Sequence, residues 1–109
     1  MANNDQDFLS RIQMTVEENL SNPNFTAEDL CDQVFLSRSQ CHRKLKSLLG
    51  MSATEYIRQQ RLERAAELLQ SQKWRVAEVV LAVGFDHHSY FAKCFREQYG
   101  CCPSEYAGG

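Results

Sequence analysis

A loose internal repeat is the feature that most constrains this chain. Residues 26 to 56 reappear at 76 to 106, and the matches lie at a spacing of fifty. The matching pairs are Ala27/Ala77, Glu28/Glu78, Phe35/Phe85, Ser39/Ser89, Leu45/Phe95, Lys46/Arg96, Gly50/Gly100, Glu55/Glu105 and Tyr56/Tyr106. Each copy has the pattern of a short helix, a tight break and a longer helix. Two such units on one body could address two neighbouring stretches of a duplex, which points to DNA.

Hydrophobic spacing and capping patterns predict an all-α fold. Thr26 with Asp29, Ser37 with Gln40 and Ser52 with Glu55 each have the pattern of a helix N-terminus, and the apolar period is helical. We expect about seven helices, over residues 6–21, 27–34, 37–49, 52–70, 76–83, 87–99 and 103–106. They divide into a first helix-turn-helix subdomain at 6–50, a linker helix at 52–70 and a second helix-turn-helix subdomain at 74–107.

Several side chains carry a more specific expectation. Trp74 should fill the seam between the linker helix and the second subdomain. Asp86 should cap the helix that follows it. The linker helix should keep three basic side chains outside its packed faces, namely Arg58, Arg61 and Arg64.

Length and composition agree with a small cytoplasmic domain. A chain of 109 residues with 43% apolar and 24% charged residues fits one compact domain. No apolar run approaches the roughly 20 residues that span a bilayer, and the polar start Asn3-Asn4-Asp5 is unlike a signal peptide. We therefore expect a soluble, cytoplasmic chain.

The five cysteines are expected to be reduced thiols, because the count is odd and no C-x-x-C spacing occurs. Cys31 and Cys94 lie in apolar helix patterns and should be small core residues. A zinc site would have to draw on Cys41, His42, His87, His88 and Cys94. These residues lack zinc-ligand spacing, so we predict neither a metal nor a cofactor.

Charge is distributed unevenly along the chain. Residues 1–36 hold seven acidic residues against Arg11 alone, a net charge of −6, whereas residues 37–109 hold 11 Lys/Arg against 7 Asp/Glu, a net charge of +4. Nine acid-free residues carry Arg38, His42, Arg43, Lys44 and Lys46. This stretch is either a solvated helix face or a surface for an anionic partner.

The longer helix of each unit has a packed face and a free face. In the first unit Cys41, Leu45 and Leu48 face the core. The free face then presents side chains that donate to guanine edges or phosphates: Arg38, Ser39, His42, Arg43 and Lys46. In the second unit the apolar side is Tyr90, Phe91, Cys94 and Phe95, and the free side is His87, His88, Ser89, Ala92, Lys93 and Arg96.

His87 and His88 are open to two interpretations. They could contact bases as neutral donors or acceptors, or they could cap and solvate the start of the helix. A catalytic role is disfavoured, because no nucleophile or carboxylate accompanies them at a recognisable spacing.

The segment VAEVVLAVGFDHHSYFAKCFREQYGCCPSEY, residues 76 to 106, closely resembles the signature of the AraC/XylS family of bacterial transcription regulators. The segment from Thr26 to Leu69 is similar to the family's first helix-turn-helix and linker helix. With LSRSQ-HRKLK and an acidic leading helix, the chain is most like the C-terminal output domain of a Bacteroides-type hybrid two-component sensor.

The resemblance implies two helix-turn-helix subdomains joined by a long helix, with both recognition helices able to enter successive major-groove segments. It implies base contacts in the first helix at Ser39, His42 and Arg43. In the second helix it implies base contacts at His88, Ser89, Ala92 and Lys93. Backbone contacts are then expected from Arg38, Lys46 and Arg96.

Three residues depart from the family's pattern. Phe35 stands where the first turn often has a small residue, Val80 stands in a crowded position usually held by alanine, and Cys102 replaces the usual hydroxyl cap before Pro103. These departures bear on the tightness of the first turn and on the register of base contacts.

The function expected is sequence-specific binding of double-stranded DNA by the output domain of a transcription activator. Its implied partners are duplex DNA, RNA polymerase through the acidic first helix, and a sensor or dimerisation domain in a longer parent chain. The alternative is a helical protein-interaction module with weak or incidental DNA binding. An enzyme is disfavoured, because a cysteine-based DNA repair activity would need a metal-binding cysteine set that the chain lacks.

Overall fold

The computed structural model describes residues 2–108, with side chains from Asp5 onward. This part of the chain forms seven α-helices and no strand, which confirms the predicted all-α fold of two helix-turn-helix units joined by a long helix. The helices are α1 (Ala2–Asn19), α2 (Ala27–Gln33), α3 (Arg38–Leu49), α4 (Ala53–Gln70), α5 (Val76–Ala82), α6 (His88–Tyr99) and α7 (Pro103–Gly108). None of the described helices is long and apolar enough to cross a membrane.

Two hydrophobic clusters, one for each unit, meet on α4. The first contains buried residues of α1, α2 and α3, together with Ala53, Tyr56 and Ile57 from the start of α4. The second contains buried residues of α5 and α6 together with Leu62, Ala65, Ala66 and Leu69 from the rest of α4. Because one continuous helix contributes to both clusters, α4 fixes how the units are placed along the molecule.

Local hydrogen bonds explain where the helices of the first unit begin. The Thr26 hydroxyl accepts from the Asp29 amide at 3.2 Å, while the Asp29 carboxylate accepts from the Thr26 amide at 3.0 Å. The same reciprocal capping box starts α3 at Ser37 and α4 at Ser52. These three predicted starts are confirmed.

The ends of the chain's helices differ from the prediction by a few residues. Helix α1 begins at Ala2 and ends at Asn19, where residues 6–21 were expected. Its first turn is polar and therefore adds nothing to the apolar period. At its end the Asn22 amide donates to the Asn19 carbonyl at 3.0 Å, which turns the chain before Pro23. Helix α7 continues past Tyr106 to Gly108.

The turns of the two units match with a one-residue shift. The Leu36 amide donates to the Cys31 carbonyl at 3.2 Å, and the Phe85 amide donates to the Val80 carbonyl at 3.1 Å. Leu36 is therefore the equivalent of Phe85, at a spacing of 49. Helices α2 and α5 also begin 49 residues apart, so the sequence pairs Ala27/Ala77, Glu28/Glu78 and Phe35/Phe85 are wrong as structural equivalents. The true counterpart of Phe35 is Gly84, and both have a left-handed backbone, with φ of 59° and 80°.

The second turn holds one more residue than the first, and that residue is Asp86. It follows Phe85 and precedes His87, which takes the N-cap position of α6, so the predicted cap at Asp86 is wrong. From the longer helices onward the spacing is fifty. The Cys41 amide donates to the Ser37 carbonyl, and the Phe91 amide donates to the His87 carbonyl.

Two aromatic side chains lie outside the core, against the prediction. Trp74 is 42% exposed because helix α7 fills the seam beside α4: Gln70 donates to the Tyr106 hydroxyl at 3.1 Å, and the Tyr106 ring lies 5.2 Å from that of Phe95. Tyr90 is 47% exposed and packs against Phe85 at the edge of the second cluster, with ring centroids 6.0 Å apart.

Arg61 is partly buried and its guanidinium is hydrogen-bonded to the backbone, so the prediction that it lies outside the packed faces of the linker helix is also wrong. Its Nε donates to the Leu20 carbonyl at 3.2 Å and its Nη2 to the Asn22 carbonyl at 2.7 Å. Burial lowers the pKa of this guanidinium, and the negative charge of Asp86 opposes that shift. Arg61 thereby ties the end of α1 to the middle of α4.

Cys102, the third departure, starts α7 without a hydroxyl. Its amide donates to the Glu105 carboxylate at 3.2 Å and its thiol donates to the same oxygen at 2.9 Å. These hydrogen bonds, first that of the thiol, lower the pKa of Glu105. The acidic half of a capping box is therefore retained.

Candidate nucleic-acid interface

Helix α3 exposes a basic face because its opposite face is fully buried. Cys41 and Leu45 have no exposed surface. Ser39, Arg43 and Lys46 follow one another at i, i+4 and i+7 on the far side of the helix, and all three are exposed. Arg38 and His42 are also exposed and lie at one edge of this face.

Helix α6 repeats this arrangement at a spacing of fifty. Phe91 and Phe95 are fully buried, with Cys94 beside them. The outward line is Ser89, Lys93 and Arg96, all exposed, and each is the counterpart of a residue in α3. His88 is exposed and Ala92 is half-buried. Both helices thus present a hydroxyl followed by two cations, a set that can donate to base edges and phosphates.

The two helices are held differently at their N-termini and alike at their C-termini. Ser37 and Gln40 form a capping box at the start of α3, whereas the side chain of His87 makes no capping hydrogen bond. At the other end, Gly50 and Gly100 adopt left-handed conformations that stop each helix. His87 thus occupies the N-cap position without a capping hydrogen bond from its side chain, and its exposure is compatible with both interpretations of the two histidines.

Not every cation of the acid-free stretch is free to meet a ligand. The Lys44 ammonium lies 4.8 Å from the centre of the Phe8 ring of α1, so Lys44 belongs to the packing between α1 and α3. Arg38 approaches Glu28 at 3.9 Å, and both side chains are well exposed, so this pair is weak. Among the described residues, Arg43 and Lys46 form no salt bridge.

A cleft of about 420 Å³ separates the two units on one side of α4. Thr54 and Arg58 of α4 line it, together with His87 and Tyr90 from the start of α6. Thr54 also lines the groove beside α3 that contains Arg38, Ser39 and His42. The N-terminal parts of both recognition helices therefore border one continuous surface.

The opposite side of α4 is acidic. Glu63 and Glu67 line a groove of about 550 Å³ with Glu17 of α1, and Arg64 pairs with Glu67 at 3.1 Å. The helical period puts these carboxylates on the far side of α4 from Thr54 and Arg58. Basic and acidic surfaces are thus separated by the thickness of the domain.

Sequence reasoning identified the exposed faces of both helices but missed the surface between them. The sequence pattern gives Thr54 no role, places Arg58 only among the exposed side chains of the linker helix, and places Tyr90 on the packed side of its helix. Their juxtaposition depends on the packing of α6 against α4, and no local pattern of the sequence encodes it. Within residues 2–108, no three His, Cys, Asp or Glu side chains lie together as metal ligands would.

A family model described as a helix-turn-helix domain matches residues 30–108. This chain belongs to the AraC-type helix-turn-helix family. The match covers the turn of the first unit, both recognition helices and the linker helix. The fold described above is therefore that of AraC-type DNA-binding domains.

Two curated relatives are much longer than this chain. The chain is 31% identical over 102 residues to histidine kinase P4 of Formosa agariphila, which covers 94% of the chain and 7% of the kinase. It is 34% identical over 82 residues to the HTH-type transcriptional activator RhaR of Pectobacterium atrosepticum, which covers 75% of the chain and 29% of that activator. The chain thus spans less than a third of either relative.

A solved structure with a similar fold contains DNA. It is the DNA-binding domain of the global transcriptional factor AdpA in complex with a target DNA, with a TM-score of 0.84 and 27% identity. The match covers 93% of this chain and 89% of that one.

Proposed function

We propose that this domain binds double-stranded DNA in a sequence-specific manner and is the output domain of a transcription regulator. The observation that carries the proposal is the pair of equivalent outward lines, Ser39, Arg43 and Lys46 on α3 and Ser89, Lys93 and Arg96 on α6. Each line lies on the second helix of a helix-turn-helix, the element that enters the major groove in proteins of this type. The target DNA bound to the AdpA domain supports the same conclusion.

The size of the molecule suits two major-groove segments on one side of the duplex. Its longest extent is 46 Å, and successive turns of the groove are about 34 Å apart. Helix α4 has 18 residues and is therefore about 27 Å long. A rigid connection of this length supports simultaneous insertion of α3 and α6.

Specific contacts follow from the exposed positions. The proposed base contacts are Ser39, His42 and Arg43 in α3, and His88, Ser89, Ala92 and Lys93 in α6. The proposed backbone contacts are Arg38, Lys46 and Arg96. Ala92 suits a thymine methyl, since it offers only a small apolar group.

The functional division proposed is a first subdomain at 6–50, a linker helix at 52–70 and a second subdomain at 74–107. The two separate clusters support it. The start of α4 packs in the first cluster, so the linker helix also contributes to both units.

The proposed setting is the C-terminal end of a longer regulator of a two-component system. Similarity to 7% of histidine kinase P4 supports a parent chain that carries a sensor or dimerisation domain, and similarity to the activator RhaR supports activation. In such a regulator the acidic surface of α1 and α4 points away from DNA and is available to RNA polymerase. The role is one of binding, with no enzyme activity.

Selection of bound duplexes from a random library tests the proposal, followed by titration of the best site and a scrambled site at near-physiological salt. An enriched motif with two half-sites about one helical turn apart is expected. Equal affinity for the best and scrambled sites would contradict sequence-specific binding.

The second candidate is a protein-interaction module, which the acidic groove between α1 and α4 favours. Duplex preference at raised salt separates the two candidates. Binding through several phosphates weakens by orders of magnitude between 50 and 200 mM salt. A sequence-specific DNA-binding domain should still prefer the selected site to the scrambled site at 200 mM, whereas an interaction module with incidental DNA binding should show no such preference.

A further inference from the structure

The surface between the recognition helices holds a cation that neither helix supplies. Arg58 of α4 is half-buried and lines the central cleft. Its Nη1 donates to the Tyr90 hydroxyl at 3.4 Å, which joins the first turns of α4 to the first turn of α6. Because Tyr90 is 47% exposed, this pair lies at the mouth of the cleft.

The charge of Arg58 is not neutralised by a salt bridge within residues 2–108. Glu55, one turn earlier on α4, accepts from the Ser52 amide at 2.8 Å and is held at the helix start. Asp86 also lines the cleft, and its charge acts on Arg61. Arg58 therefore keeps donor capacity and positive charge for a ligand that enters between the units.

When α3 and α6 occupy successive major-groove segments, the strands that bound the intervening minor groove face the middle of the protein. We propose that Arg58, positioned by Tyr90, binds a backbone phosphate at the centre of the site. This assignment rests on the proposed function and adds a contact outside both recognition helices. A phosphate contact carries affinity and register but no base information.

The experiment compares Arg58→Gln with a matched control on the same helix, Arg64→Gln. Arg64 is exposed, pairs with Glu67 and lies at the acidic groove. Affinity for the selected duplex is measured by fluorescence anisotropy from 50 to 200 mM salt. Loss of one phosphate contact should reduce the slope of log affinity against log salt by about 0.9. The ratio of Kd between those salt concentrations should then fall about threefold for Arg58→Gln and stay unchanged for Arg64→Gln.

Sequence preference is the second measurement. Arg58→Gln should keep the wild-type ratio of affinity between the best and scrambled sites, whereas Arg43→Ala should lower that ratio. Tyr90→Phe should weaken binding about twofold with the salt slope retained, since the cation remains.

A scan of the wild-type chain with uncharged methylphosphonates locates the phosphate, and the same scan of Arg58→Gln links that phosphate to Arg58. Substitution in the central segment should weaken binding of the wild-type chain severalfold and should have little effect on Arg58→Gln. Two results would show that the assignment of Arg58 is wrong while the proposed function stands. In the first, the wild-type chain binds the duplex but no central methylphosphonate weakens binding. In the second, Arg58→Gln leaves the salt slope unchanged. No duplex binding by the wild-type chain would overturn the proposed function together with the assignment.

Discussion

Gly84 shows how one residue sets the contact between the two units. Its φ is +80°, and a Cβ there would clash with the carbonyl oxygen of Leu20 and lie 3.1 Å from Arg61 Nε. The Leu20 carbonyl also accepts from Arg61, so it cannot easily withdraw. A side chain at Gly84 would therefore push the second turn away from the end of α1.

We expect Gly84→Ala to lower the free energy of unfolding by clearly more than the ~1–2 kcal/mol of a left-handed backbone alone. Gly50→Ala is the matched control, because Gly50 has a φ of +75° and open space around it. Urea denaturation followed by circular dichroism measures both. Equal losses in the two variants would show that the contact with Leu20 is unimportant.

Phe35 combines a left-handed backbone with an exposed ring. Its φ is 59° and the residue is 88% exposed, so the ring offsets little of the backbone strain. Asparagine tolerates this conformation better. We expect Phe35→Asn to raise the free energy of unfolding by about 0.5–1 kcal/mol. A thermal melt that shows a lower Tm would instead indicate that the ring stabilises the turn.

The buried thiols should behave differently from the thiols near the C-terminus. Burial, and then contact with the Cys31 thiol, raises the pKa of Cys41 from 9.0 to about 12. The raised pKa means that the folded state favours the protonated thiol. The resulting contribution to the free energy of unfolding is complete below pH 9 and is lost as the pH rises towards 12. The free energy of unfolding should therefore fall across that range.

Alkylation at pH 8 followed by mass spectrometry measures the difference in reactivity between the buried thiols and the thiols near the C-terminus. Cys101 and Cys102 are partly exposed and should react first, whereas Cys31 and Cys41 should react only on unfolding. Rapid modification of Cys41 in the folded chain would contradict the burial described above.

At the scale of elements, the three helix starts with capping boxes were predictable and turn geometry was not. The starts at Thr26, Ser37 and Ser52 depend on two side chains three residues apart, so the sequence contains the whole signal. The one-residue difference in repeat spacing at the turns depends on how each turn closes. Because Phe35 and Phe85 match in the sequence at a spacing of fifty, the sequence does not indicate that Gly84 is the structural counterpart of Phe35.

The faces of α3 and α6 were likewise predictable from helical periodicity, while the surface between them was not. The burial of Cys41 and Phe91 follows from the local apolar pattern. The position of Tyr90 beside Arg58 depends on long-range packing. For this reason the central cation became visible only in the folded chain.

Each recognition helix should control its own half-site. Arg43 and Lys93 are counterparts on α3 and α6. Arg43→Ala should cost about 1–3 kcal/mol of binding and relax preference in one half-site, and Lys93→Ala should relax preference in the other. Duplex selection with each variant measures the effect at every base position.

Ser47→Ala is the matched control on α3, because Ser47 is exposed but lies off the outward line. Lys46→Ala should weaken binding to all sequences alike and reduce the salt slope by about one unit. Relaxed preference in the same half-site for Arg43→Ala and Lys93→Ala would contradict separate reading by the two helices.

At the scale of the whole molecule, one continuous helix joins two cores. Because α4 packs in both clusters, the units cannot rotate independently without breaking one of them. The arrangement therefore sets both the distance between the recognition helices and their relative angle around the duplex.

Changing the distance between half-sites tests this rigidity. Insertion of five base pairs between them should move one half-site to the opposite side of the duplex, and insertion of ten should add about 34 Å. A domain 46 Å long cannot span either arrangement. Affinity for both altered duplexes should fall to that of a single half-site, as measured by anisotropy. Retained affinity after the ten-base-pair insertion would mean that the two units separate on DNA, since only a broken α4 could reach both half-sites.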